Sequence, residues 1–372
     1  MRLTRQVESA LNEADELQGE VALTGADGDL SPRRPRRLRL PKRIRIGLVG
    51  LFGLAVVLGT AGAIFEALSA RGDADRYPAP GQMVDVGGTQ MHISCTGSGS
   101  PTVILDAGLS GRSLDWELVQ PSIAASTRVC SYDRAGMGWS DSVSEPRSPA
   151  QIASELHALL TEAAIAPPYV LVGHSLAGKN VRMFAIQHPD EVAGMVLVDA
   201  RSELVDDQAS DGEMRMVRLA GRVQGWAYRF ARRIGLSRLS GATLLGYSVF
   251  GEDVGRVMAL KVTDADAVAT STRELVERSR NDDELRAAPS LGDMPLVVLA
   301  SGRNMSGLAF WSEGQNALAA LSARGRLVVV EGSGHYIHID RPAEVIDAIE
   351  EVTASARLRA STGMTTRDTT TP

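Results

Sequence analysis

Short apolar runs alternate with stretches of helical periodicity along most of this chain, and that alternation restricts the fold more than any other feature. The runs fall at residues 102–105, 128–132, 169–172, 194–198, 295–300 and 326–330. Helical periods lie between or after them, at 149–164, 178–188 and 342–352. Strands that are apolar along nearly their whole length must be covered on both faces, which implies a mostly parallel sheet with helices on either side. Two further short segments, 83–86 and 91–95, alternate in polarity and are joined by Gly87-Gly88, the pattern of a hairpin. One interval breaks the rhythm. Residues 201–290 hold no strand-like run but show helical patterning at 214–234 and 264–280, as expected of a helical lid inserted between two strands.

The composition belongs to a globular protein, with 44% apolar and 23% charged residues. A net charge of −6 has the wrong sign for a phosphate-binding surface, and 4 Trp, 6 Tyr and 6 Phe are too few for stacking platforms, so no nucleic-acid partner is expected. Two cysteines, Cys95 and Cys130, exclude a disulfide-dense scaffold and any Cys₄ zinc site. No Gly-rich phosphate loop or metal-ligand spacing stands out, and no cofactor is expected.

The charge is unevenly placed. Arg33, Arg34, Arg36, Arg37, Arg39, Lys42, Arg43 and Arg45 precede an uncharged run at 46–65, IGLVGLFGLAVVLGTAGAIF. Twenty helical residues span about 30 Å, the thickness of a bilayer's hydrocarbon core. A single transmembrane helix is therefore expected at 46–65. The basic flank places residues 1–45, polar and largely disordered, in the cytoplasm and the rest of the chain outside. A cleaved signal peptide is the competing reading, since Ala67-Leu68-Ser69-Ala70 supplies small residues near a cut. Its positive region would exceed forty residues, longer than a whole signal sequence. Ala55, Gly59 and Ala63 fall on one helix face and could pack against another helix.

The chemistry is concentrated in Tyr169–Gly178, YVLVGHSLAG. A buried strand runs into Gly173-His174-Ser175-Leu176-Ala177-Gly178 and then into a helix. A nucleophilic serine on a sharp strand-to-helix turn needs small residues two before and two after it, and Gly173 and Ala177 stand there. The helix that follows aims its N-terminus at the site and favours negative charge there.

With this motif in place, the chain resembles the α/β-hydrolase fold family from about Met83 to Val352. Further matches are the segment 131–141, SYDRAGMGWSD, the His188-Pro189-Asp190-Glu191-Val192 link, and Gly332-Ser333-Gly334-His335 followed by Arg341-Pro342. The resemblance implies an eight-stranded, mostly parallel sheet with helices on both faces. It divides the chain into a first part of the core at 77–200, the lid at 201–290, a second part at 291–356 and a disordered tail at 357–372.

It also implies roles. Ser175 is the expected nucleophile. Of six histidines, only His335 and His338 follow the last apolar strand, and His335 in its Gly-rich turn is the expected base. The family's usual acid follows the strand before the last, where Asn304 stands instead. An amide can orient an imidazole but cannot balance its charge. Asp199, one strand earlier, is the expected acid, with Asp293 and Glu313 as outside candidates. The oxyanion donors are expected to be the N–H groups of Leu176 and Leu109, the latter in a loop where Ala107-Gly108 replaces the family's frequent His-Gly.

The family's strand order makes Cys95 and Cys130 neighbours, which leaves a disulfide and a pair of buried thiols both open. The reading that follows is a membrane-anchored serine hydrolase acting on a small-molecule carboxylic ester with an apolar acyl group. Trp226, Tyr228, Phe230, Leu244, Leu245 and Phe250 either line the acyl pocket or pack within the lid. An amidase would use the same residues, and a non-catalytic binding protein of the same fold would find support in Ala177 and Asn304. Dehalogenases and epoxide hydrolases of the family use an aspartate nucleophile, against which Ser175 argues.

Overall fold

The computed structural model describes residues 41–208, 211–235, 247–262 and 264–362. Helix α1 (Lys42–Arg76) leads into strands β1 (Gln82–Val86), β2 (Thr89–Thr96), β3 (Thr102–Asp106) and β4 (Val129–Tyr132). Helix α2 (Pro149–Glu162) follows, then β5 (Tyr169–His174), α3 (Ala177–Gln187) and β6 (Val192–Val198). The lid contributes α4 (Asp211–Arg233) and α5 (Ala265–Glu277). The chain closes with β7 (Leu296–Ser301), α6 (Ala309–Ala319), β8 (Gly325–Val330) and α7 (Pro342–Thr362).

The eight strands form one sheet in the order β1-β2-β4-β3-β5-β6-β7-β8. β1 and β2 are the antiparallel hairpin, turning at Gly87 and Gly88, both with positive φ, and β2 pairs antiparallel with β4. All later pairings are parallel. Every residue of β3, β5 and β7 is buried, which is why those segments read as unbroken apolar runs. Alternate residues feed two cores: Leu171, Leu197 and Val298 pack on one face, Val172, Val198 and Leu299 on the other. At roughly 1.5–3 kcal/mol per fully buried aliphatic side chain, these two layers supply the main drive for folding. Cys95 and Cys130 lie directly opposite each other on β2 and β4 and are joined by a disulfide.

The lid is tied down by buried charge rather than by apolar contact alone. Lys179 of α3 is fully buried and donates to Asp206 and, at 2.5 Å, to Asp282. Asp206 also accepts from Arg201 and, at 2.5 Å, from Arg278 just beyond α5. Its carboxyl is held below the usual range because Lys179 and Arg201 outweigh the cost of burial. Removing one member would strand the others without compensation, so the network fixes the lid to the helix that follows the Ser175 turn.

Two boundaries differ from expectation. Helix α1 begins at Lys42 and continues to Arg76: Lys42, Arg43 and Arg45 before the apolar run and Glu66, Ala67, Leu68, Ala70 and Arg71 after it favour helix, and no proline interrupts it. Helix α7 continues to Thr362, since Ala356 and Arg359 still bury against the core beyond the expected start of the tail at 357. Residues 1–40, Leu244, Leu245 and residues 363–372 lie outside the described residues.

Candidate active site

Ser175 sits where β5 ends and α3 begins, with φ of +53°. A non-glycine residue in that region is strained, and here the turn is held by Ser175 N–H donating to Val198 O at 3.0 Å and Arg201 N–H donating to Ser175 O at 2.8 Å. Gly173 is needed for the turn. A Cβ there would lie 2.8 Å from both the Ala177 carbonyl oxygen and Val181 Cγ2. At position 177 a methyl group is accommodated and fully covered, so the departure from glycine costs the turn nothing visible.

The loop after β8 brings His335 over the sheet's carboxyl edge. Its Nε2 lies 2.8 Å from Ser175 Oγ and its Nδ1 lies 2.6 Å from Asp199 Oδ2. Asp199 is completely buried at the end of β6, with φ of +42°. As a carboxylate it accepts from four donors: Ser301 N–H (3.0 Å) and Trp311 Nε1–H (2.9 Å) on Oδ1, Asn304 Nδ2–H (2.6 Å) and His335 on Oδ2. An acceptor-only partner on Nδ1 fixes the ring tautomer, leaving the Nε2 lone pair facing the Ser175 hydroxyl. Trp311 on α6 was not singled out by the sequence; nothing in its surroundings there shows that its indole turns toward β6.

A second histidine steadies the first. His174 is buried, and its Nε2 lies 3.1 Å from the main-chain oxygen of His335, so Nε2–H donates. Burial, reinforced by His338 and His335 nearby, drives its pKa well below the usual histidine value, so the ring is neutral. His338 is buried between Trp116 and His174, and burial lowers its pKa to about 3. Among the described residues the ring bonded to Ser175 Oγ is that of His335.

The loop after β3 is governed by Arg134, which the sequence reading did not single out. This buried guanidinium donates to Asp106 Oδ1 (2.7 Å), to the Ala107 carbonyl, to Gly108 O (2.7 Å) and, through two nitrogens, to Glu274 of α5 (2.8 and 3.0 Å). Burial opposes its charge, but Glu274 and Asp106 outweigh that and push its pKa well above the usual value. In a trans peptide the N–H points opposite to the C=O, so the Leu109 N–H is turned away from Arg134. A Cβ on Gly108 would meet His174 Nδ1 at 2.7 Å and Ser175 Cβ at 3.1 Å, so only glycine lets this loop lie against the serine. Leu176 is the N-cap residue of α3, where a backbone N–H has no helical partner.

A cavity of about 270 Å³ opens beside this loop, lined by Leu109, Ser110, Arg112 and by Tyr228 of α4 and Val268 of α5. Tyr228 thus lines this cavity. Trp226 and Phe230 are not among the residues lining it; they are exposed and stack on each other at 5.7 Å. Phe250 is buried. Of the outside acid candidates, Asp293 pairs with Arg359 at 3.8 Å, and Glu313 is exposed on α6; neither bonds to His335. Among the described residues the donor atoms of His157, His188 and Glu191 lie within 4.8 Å of one another, a grouping the sequence did not suggest. The two rings stack in parallel at 3.7 Å, which does not converge their nitrogens on one ion.

The family model of the alpha/beta hydrolase fold matches residues 101–342, and the chain belongs to that family. It is 29% identical over 296 residues to an uncharacterised protein of Schizosaccharomyces pombe, covering 69% of this chain and 52% of the other; the chain spans about half that relative's length. It is 27% identical over 268 residues to the uncharacterised protein YqjL of Bacillus subtilis, covering 71% of this chain and 88% of that one. Among solved structures it resembles the epoxide hydrolase CorEH (TM-score 0.57, 20% identity, 74% of this chain and 98% of that one). A thermophilic esterase from Thermogutta terrifontis is similar as well (TM-score 0.53, 20% identity, 74% and 97%). At these identities the structural likeness describes the fold.

Proposed function

We propose that the protein is a serine hydrolase that cleaves a carboxylic ester through an acyl-enzyme intermediate. The observation that carries this reading is the continuous chain from Ser175 Oγ through the His335 ring to Asp199, 2.8 and 2.6 Å long. His335 Nε2 takes the hydroxyl proton as Ser175 Oγ bonds to the acyl carbon. Asp199 holds the ring and balances its positive charge. The N–H groups of Leu176 and Leu109 receive the oxyanion. The protonated Nε2 then delivers its proton to the departing alkoxide. Water, deprotonated by the same nitrogen, attacks the acyl carbon, and collapse of the second oxyanion releases the carboxylic acid and returns the proton to Ser175.

We further infer that helix α1 anchors the enzyme in a membrane. Its apolar segment Lys42–Ser69 is long enough to cross a bilayer, and none of that apolar window is buried against protein. The basic residues before it favour a cytoplasmic N-terminus. The Cys95–Cys130 disulfide belongs to an oxidising compartment, which supports an extracytoplasmic catalytic domain.

The test of the chemistry is active-site labelling with a fluorophosphonate, paired with hydrolysis of p-nitrophenyl esters of increasing acyl length. The wild-type chain is expected to form one adduct, on Ser175, and Ser175→Ala to form none and lose hydrolysis. Folded wild-type protein that takes no label is the result that would favour a binding protein of the same fold.

A further inference from the structure

Helix α4 carries two apolar faces, and among the described residues only one has a partner. One face packs on α5 and lines the cavity beside Leu109 with Val217, Gly221 and Tyr228. On the other side stand Met216, Leu219, Val223, Trp226 and Phe230, each 53–66% exposed. Their spacing of three and four residues places them within an arc of about 80° at 3.6 residues per turn. Arg215, Arg218, Arg222, Arg229 and Arg233 flank this stripe along one edge and are exposed as well. An exposed apolar stripe of this length with an arginine border is unusual on a water-facing surface.

The end of α4 indicates what covers the stripe. Its last turn meets the same segment of α1 in which the apolar run ends. Arg232 Nε lies 3.4 Å from Oε1 of Glu66, the first charged residue after that run. Just beyond α4, the Ile234 carbonyl oxygen approaches Gly62 so closely that a Cβ there would collide with it, and Gly235 abuts Phe65. The C-terminal end of α4 is therefore fixed at the level where the anchor leaves the hydrocarbon.

We propose that α4 lies in the membrane interface, with the Met216–Phe230 stripe immersed in the acyl chains and the arginine border on anionic headgroups. This rests on α1 being a membrane span. A helix with a basic polar edge and Trp, Phe and Leu on the other side is the type that binds bilayers in the interfacial plane. The stacked Trp226 and Phe230 stand nearest the anchored end, at the depth that aromatic side chains favour. With α1 as a membrane span, the surface that covers the stripe is the bilayer beside the anchor.

The experiment uses the full chain in vesicles of phosphatidylcholine and phosphatidylglycerol, carrying an NBD fluorophore on Val223→Cys or, separately, on Glu162→Cys at the opposite rim of the sheet. Cys95 and Cys130 are bonded to each other, so the introduced thiol is the one that labels. Lipids with brominated acyl chains are expected to quench the label at 223 at least twofold and to leave the label at 162 unchanged, while aqueous iodide quenches the reverse. Equal iodide quenching at both sites overturns the proposal. So does a label at 223 shielded from bromine and iodide alike, the mark of a covering protein copy. Flotation of the vesicles after alkaline carbonate separates the two readings: protein that floats with an unquenched label at 223 sinks the α4 proposal and keeps the span. Protein that does not float sinks both.

Discussion

Asn304 donates its side-chain amide to Oδ2 of Asp199 at 2.6 Å, the same oxygen that faces His335. The amide just beyond β7 thus bonds to the carboxylate at the end of β6, and in the proposed triad it supports that carboxylate. Exchanging roles tests this. Asp199→Asn removes the acceptor and is expected to lower kcat by about 10⁴-fold, the scale seen when a triad carboxylate becomes an amide. Asn304→Ala removes one hydrogen bond to a charged group and should cost about tenfold. The double variant Asp199→Asn/Asn304→Asp restores a carboxylate next to position 199 and is expected to recover part of the loss. Steady-state kinetics on a p-nitrophenyl ester measure all three.

Burial of neutral histidines makes stability depend on pH. His338 lies against Trp116 and His174 with its pKa lowered to about 3, and His174 is lowered by burial in the same sense. Unfolded histidines bind a proton near pH 6.5. Between that value and pH 3 the unfolded chain holds the extra protons, so stability is full above pH 6.5 and falls as pH drops. Each such histidine contributes a slope of up to about 1.4 kcal/mol per pH unit. Replacing His338 with Phe, which fills similar space without titrating, is expected to flatten the curve. Urea denaturation at pH 7, 6, 5 and 4 checks it, and an unchanged slope would refute it.

The disulfide closes a loop of 35 residues between β2 and β4. Loop-closure entropy of that size is worth about 3–4 kcal/mol. Wild-type protein denatured without reductant should titrate no thiols. The Cys95→Ala/Cys130→Ala variant should lose about that stability in urea while retaining fluorophosphonate labelling of Ser175, since neither sulfur touches the site.

Much of this architecture was readable because local physics and global fold agree. The six apolar runs became the six later strands with shifts of one or two residues, since a strand buried on both faces has no other composition available. Ser175 and Gly173 were legible for the same reason: a strained turn between strand and helix admits few residues. The position of Asp199 at a strand's end could be read, but not that Asn304, Trp311 and Ser301 converge on it from β7 and beyond. Those contacts join segments about a hundred residues apart, and no periodicity encodes them. Arg134 and Glu274 were hidden for a different reason. A charged residue reads as solvated until the fold shows it buried. The exposed stripe of α4 shows the converse, since helical spacing in sequence does not tell which apolar face has a partner.

Arg134 joins the lid to the loop that presents Leu109, and the two connections can be separated by mutation. Its bonds to the Ala107 and Gly108 carbonyls orient the Gly108–Leu109 peptide, while Glu274 holds the other edge of the guanidinium. Arg134→Lys keeps a charge but lacks the planar fork that reaches Asp106, Ala107, Gly108 and Glu274 together. If Leu109 serves as the proposed oxyanion donor, the variant is expected to lower kcat by 10- to 100-fold with little change in KM, because such a donor acts on the transition state and not on substrate binding. Glu274→Gln leaves the loop contacts intact and should chiefly destabilise the lid, by about 1–3 kcal/mol, through weaker pairing with a buried cation. The kinetic split is the decisive readout. A purely structural Arg134 would lose stability in proportion to activity, whereas a positioning Arg134 lowers kcat in protein whose urea midpoint matches that of Glu274→Gln.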